Sequence, residues 1–129
     1  MKTFVRILKI LVFLAYLAGV AYICFSDNPT GGMDLPKELW GIPTDKCVHF
    51  IMFLPFPILG TLAFDFRSWW RPLSVMTMLA LAIAFIFEML QSRITETRVT
   101  DPADLNANIL GISIGLLVMV VVGLLSRKK

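Results

Sequence analysis

The sequence is short of charge and of the motifs that soluble enzymes and metal proteins carry. Only 16% of its 129 residues are Asp, Glu, Lys or Arg, against 57% hydrophobic, whereas soluble domains carry about 25% charge. A single soluble domain of this size leaves about a third of its chain surface in water, so it could not hide so much apolar side chain. There is one histidine, and there are two cysteines. No CxxC or paired-histidine spacing occurs, so no metal site is assigned from the sequence. A Walker-type phosphate loop, a nucleophile elbow and HExxH are all missing. The net charge is +3, but the basic residues flank apolar runs and form no patch among aromatics, which argues against nucleic acid as a partner. Sustained period-2 alternation is missing as well, which leaves helices as the expected secondary structure.

What the chain does have is four apolar runs, each near the roughly 20 residues needed to cross the hydrocarbon layer. They predict helices over about 7–25, 45–64, 71–91 and 104–125 within one membrane domain covering 1–129. The expected fold class is all-α: a polytopic membrane protein with four transmembrane helices. The first run follows Lys2, Arg6 and Lys9 and so has the look of a signal peptide. It is longer than an h-region of about 7–15 residues, and Tyr22 and Ile23 are too bulky for lipoprotein cleavage before Cys24. An uncleaved first helix is expected. Between the first two runs, Asn28-Pro29-Thr30-Gly31-Gly32 is a turn signal, and residues 35–40 are read as a short helix lying at the interface. Cys24 and Cys47 fall near the same membrane edge, and a disulfide between them is left open.

Lys and Arg set the orientation. If the four spans alternate, eight of the twelve basic residues lie on the side of the N-terminus. The positive-inside rule then places both termini in the cytoplasm. Trp40 falls at the outer interface, and Trp69 and Trp70 at the inner one. The acidic residues are more lopsided: of nine, only Asp65 falls inside. Acidic residues contribute little to topology, so their excess at the outer face points to chemistry there.

Several polar residues sit where the apolar runs should be unbroken. The second helix opens Thr44-Asp45-Lys46-Cys47-Val48-His49, and the four-residue spacing puts Asp45 and His49 on one face. A structural account has Thr44 capping the helix, Asp45 favouring its positive end and His49 as a satisfied interfacial side chain. A functional account has His49 as a base or ligand held by a carboxylate. Glu88 interrupts the third helix, where an acidic residue costs on the order of 3 kcal/mol at the membrane centre; Gln91 shares its face. Before the fourth helix, Asp101 and Pro102 suit the N-cap and first helical positions. Asp104, Asn108, Gly111 and Gly115 then form a stripe down one face, in which Gly111 and Gly115 let a neighbouring helix approach closely. Arg98 is placed to pair with Glu88 or Asp104, lowering the cost of burying either. All of these groups converge at one depth on one side.

This ordered set resembles the VanZ-like family of small bacterial membrane proteins. The matching features are Asp45-Lys46-x-x-His49-Phe50, Glu88-x-x-Gln91, and Arg98 followed by Asp104-x-x-x-Asn108-x-x-Gly111-x-x-x-Gly115. They cover the last three helices. Residues 92–97 depart from the pattern, lacking the Pro or Gly turn often found before the Arg. The resemblance implies a bacterial plasma-membrane protein, and the family's namesake is associated with low-level resistance to the glycopeptide teicoplanin. It implies no particular reaction.

Two functions from different classes follow. In the first, an extracytoplasmic polar site binds or modifies a cell-envelope component, a glycolipid or glycopeptide. His49 and Glu88 are then the acid/base candidates, Lys46 and Arg98 hold anionic groups, and Asp45, Gln91, Asp104 and Asn108 orient them. In the second, the protein is non-enzymatic, the polar network specifies helix packing, and the glycine stripe and first helix recruit a partner. Whether the protein is an enzyme, which cofactor it takes and whether it forms homo-oligomers are left open; the lipid bilayer is the one partner common to both. A transporter is disfavoured, since no inverted repeat is visible and no charge lies at the predicted bilayer centre. A mononuclear metal would require His49, Glu88 and Asp104 to meet in space, which spacing along the chain does not decide.

Overall fold

The computed structural model describes residues 2–26, 36–63, 70–94 and 102–127. Its elements are α1 (Lys2–Phe25), β1 (Glu38–Leu39), β2 (Ile42–Pro43), α2 (Thr44–Phe53), α3 (Pro55–Ala63), α4 (Trp70–Ile94) and α5 (Pro102–Arg127). Among the described residues, four stretches are long and apolar enough to cross a membrane: Lys2–Phe25, Thr44–Ala63, Trp70–Ile94 and Pro102–Ser126. At 1.5 Å per residue even the shortest reaches about 30 Å, the thickness of the hydrocarbon layer. Large apolar side chains point outward along these helices, Phe4, Leu11, Met78 and Leu117 among them. Water would penalise that surface, whereas lipid does not.

The second span is two helices in series because of proline. Pro55 and Pro57 have no N–H to offer Ile51 and Phe53, so the hydrogen-bond ladder lapses at Leu54. The backbone nonetheless stays helical there, at φ −57° and ψ −42°, and the Leu54 N–H reaches Phe50 O at 3.1 Å. Proline therefore loosens the helix without ending the span.

The helices alternate in direction. The end of α1, the start of α2, the end of α4 and the start of α5 share one end of the bundle, as the contacts below require. The core is aromatic at mid-depth. Phe53 and Phe56 are fully buried, and Phe13 meets Phe56 edge-on at 5.4 Å. The Tyr16 hydroxyl donates to Met52 O, joining α1 to the second span. α1 is thus built into the core through Phe13, Val20 and Cys24.

Two expectations are corrected here. Residues 36–40 do not form an interfacial helix; they enter a two-residue hairpin pairing Glu38 with Pro43 and Leu39 with Ile42. Trp40 and Gly41 both take positive φ, +53° and +79°, as a tight hairpin turn needs and as a helix cannot accommodate. Thr44 also does not cap α2. The N-cap residue is Pro43 with no side-chain bond, and Thr44 is already helical. Its hydroxyl donates to Pro36 O and its N–H to Lys37 O at 2.9 Å, so it ties the helix start to the hairpin. Cys24 and Cys47 are free thiols; Cys24 Sγ lies 3.9 Å from Met52 Sδ.

Candidate functional site

The site is built by two glycines. α5 lays Gly111 against the Phe50 carbonyl and Gly115 against the Leu54 carbonyl, a backbone-to-backbone approach that any side chain at either position would prevent. Phe50 follows His49 directly, and Gly111 lies one turn past Asn108. The close approach therefore brings His49 and Asn108 together, and His49 Nδ1 lies 2.9 Å from Asn108 Oδ1. The glycine stripe is thus occupied within the chain and is not the surface through which a partner could be recruited.

Around this bond the polar groups of three helices gather. His49 Nε2 is 3.5 Å from Asp104 Oδ2. The other Asp104 oxygen accepts from the Lys46 ammonium. Glu88, from α4, is 2% exposed, and one carboxylate oxygen of Glu88, one of Asp104 and one ring nitrogen of His49 all lie within 4.8 Å of one another. Charges buried this way are expensive unless paired and hydrogen-bonded. Lys46 and Asn108 supply part of that compensation.

Two expected site residues sit elsewhere. Asp45 is outside the buried cluster; its side chain is 62% exposed and bonds Lys46 at 2.9 Å. Being four residues from His49 gives it a similar azimuth but not the same depth, and the His49 ring meets Asn108 and Asp104 of α5 instead. Gln91 is buried, and its amide donates to Cys24 O at 2.9 Å. That carbonyl belongs to the last turn of α1, where intrahelical donors run out, so Gln91 fastens α4 to α1. Arg98 and Asp101 lie outside the described residues.

Sequence reasoning missed an apolar groove beside this cluster. It has a volume of about 450 Å³ and runs between the hairpin, α2 and α5, with Leu39, Trp40, Phe50 and Leu110 in its wall. Lys46 lines it too. Trp40 is 94% exposed at the hairpin tip, and an exposed indole suits a membrane–water interface. The signal lay in the sequence as Trp40-Gly41, the point at which the expected helix ends.

A helical bundle with four stretches long and apolar enough to cross a membrane, and a buried polar cluster among the described residues, defines a multi-pass membrane protein. Its family follows from comparison with known proteins: the family model described as VanZ/LLP1 matches residues 13–123, and the chain belongs to that family. Comparison with the curated proteins and with the solved structures finds no match.

Proposed function

We propose that the chain resides in the bacterial plasma membrane with both termini in the cytoplasm, and that its polar cluster faces the extracytoplasmic side. There it binds or modifies an anionic, lipid-linked component of the cell envelope. The observation that carries this reading is the double position of Lys46. The residue pairs with Asp104 inside the cluster and also lines the apolar groove. An amphiphile with its chain in the groove would bring a phosphate or carboxylate to Lys46 and a polar head toward His49, Glu88 and Asp104. The groove's size is in the range of ligand pockets, about 300–1,000 Å³. Its apolar wall favours a ligand that carries a long apolar chain. His49 and Glu88 remain the proton-transfer candidates, and a part in glycopeptide resistance is the phenotype that the family resemblance adds.

The full chain, purified in mild detergent and offered a polyprenyl phosphate, is expected to retain the lipid in native mass spectra. Lys46→Met and Trp40→Ala should each lower retention about tenfold, the equivalent of about 1.4 kcal/mol. Retention that is unchanged in both variants would contradict the reading.

The bond from Gln91 to the Cys24 carbonyl favours a second reading, in which the polar residues specify helix packing alone. Under it, Glu88→Gln lowers the amount of assembled protein in the membrane. Under the first, the variant accumulates normally and loses its envelope function.

A further inference from the structure

We infer that His49, Glu88 and Asp104 form a binding site for a divalent transition-metal ion such as zinc. The inference deepens the ligand-binding reading of the same cluster, but its geometry stands without the lipid. The three residues come from α2, α4 and α5 and are all buried, with one candidate ligand atom from each within 4.8 Å of the others. Zinc binds imidazole nitrogen and carboxylate oxygen at about 2.0–2.2 Å, which sets tetrahedral ligand atoms about 3.4 Å apart. The His49 Nε2 to Asp104 Oδ2 distance is 3.5 Å, long for a hydrogen bond and right for two ligands sharing a metal. The Glu88 oxygen, within 4.8 Å of the other two, would need to close by up to about 1.4 Å to complete the set.

The surroundings of the ligands are the independent observation. His49 Nδ1 meets Asn108 Oδ1 at 2.9 Å. An amide oxygen accepts, so Nδ1 is the donor in that bond, which fixes the ring with Nε2 facing Asp104 and Glu88. A cation held between Nε2 and these carboxylate oxygens would offset the buried negative charge. Metal-bound histidines characteristically donate their second ring N–H to such an acceptor, and their carboxylate neighbours are hydrogen-bonded in turn. Lys46 bonds Asp104 through Oδ1, which leaves Oδ2 to the metal. Three protein ligands leave a coordination position open, as in catalytic zinc sites, and Lys46 beside it favours an anionic occupant.

The test uses tag-free full-length protein in detergent, stripped with a chelator, then titrated with zinc against a chromogenic zinc chelator. One zinc per chain is expected, with a dissociation constant below about 1 µM. His49→Gln and Asp104→Asn should abolish uptake. Asn108→Ala keeps all three ligands but frees the ring, and should weaken binding about 10- to 100-fold. Melting curves with and without zinc identify any variant that fails to fold, and the unmodified chain decides the matter by itself. If it takes up neither zinc nor manganese at about 100 µM, or if His49→Gln binds as well as the parent, the site is not a metal site. No metal uptake with lipid retention intact removes the metal alone, whereas metal uptake without lipid retention removes the lipid reading alone.

Discussion

Gly111→Ala is expected to cost about 3 kcal/mol of stability, the upper end of what an added methyl costs in a tight interface. The new Cβ would overlap the Phe50 carbonyl oxygen and lie 3.1 Å from its carbon and 3.2 Å from Leu54 N. All of these are backbone atoms, so none can turn aside. Alanine is the better helix former by about 1 kcal/mol, so a net loss isolates the clash. Gly60→Ala is the control. Its Cβ meets Met76 Sδ at 2.7 Å and Cγ at 2.8 Å, but these atoms belong to a flexible side chain that can turn away where a backbone carbonyl cannot, and a smaller loss than for Gly111→Ala is expected. Unfolding of both variants in detergent, with membrane abundance alongside, checks the comparison. Equal losses would mean that α2 and α5 do not touch through their backbones. The variant should also lose the His49–Asn108 bond in whatever fraction still folds, because the same approach makes both contacts.

Asp104→Asn is expected to cost about 3 kcal/mol, the low end for breaking a buried ion pair, since the pair is only part-buried and Asp45 remains 2.9 Å from Lys46. The damage comes from the Lys46 ammonium, whose side chain is only 19% exposed. Lys46→Met combined with Asp104→Asn should therefore recover most of the loss, as buried pairs replaced by apolar groups often do. A double variant no better than Asp104→Asn alone would mean that Lys46 is not the charge Asp104 compensates. The same double variant should still lose the envelope ligand, which separates the pair's part in stability from its part in binding.

The spans were legible because lipid imposes a requirement that composition alone can meet, a long apolar run. Their ends were less so: α1 begins at Lys2 and α4 continues to Ile94, beyond the apolar runs, because the backbone ladder does not stop where hydropathy does. Pro55 and Pro57 were visible, but that they would loosen the helix at Leu54 without ending it depends on the neighbours that hold it. The hairpin left no trace of alternation because each strand is two residues long. Its signal was the turn itself, Trp40-Gly41.

At the site, helical spacing gave azimuth and left depth undecided. Asp104 and Asn108 precede Gly111 and Gly115 on one stripe, so whatever helix the glycines admitted would meet the polar pair as well; that helix carries His49. Asp45 has the spacing to follow His49, but it sits in the first turn of α2 and stays in the open. Gln91 is one turn from Glu88, yet it meets the last turn of α1. That destination could not be read from α4 alone, since the acceptor is a backbone carbonyl of Cys24 and every residue offers one.

The central claim is a single polar cluster at the extracytoplasmic end of the bundle. In a chain with Cys24→Ala and Cys47→Ala, single substitutions Asp45→Cys and Arg71→Cys would be treated in intact cells with a membrane-impermeant thiol reagent. The paired substitution His49→Cys with Asn108→Cys would be tested for oxidative crosslinking. The account predicts that position 45 labels from outside, that position 71 labels only after the membrane is opened, and that the 49/108 pair crosslinks. Labelling of position 71 but not 45 in intact cells, or a 49/108 pair that stays reduced, would contradict it.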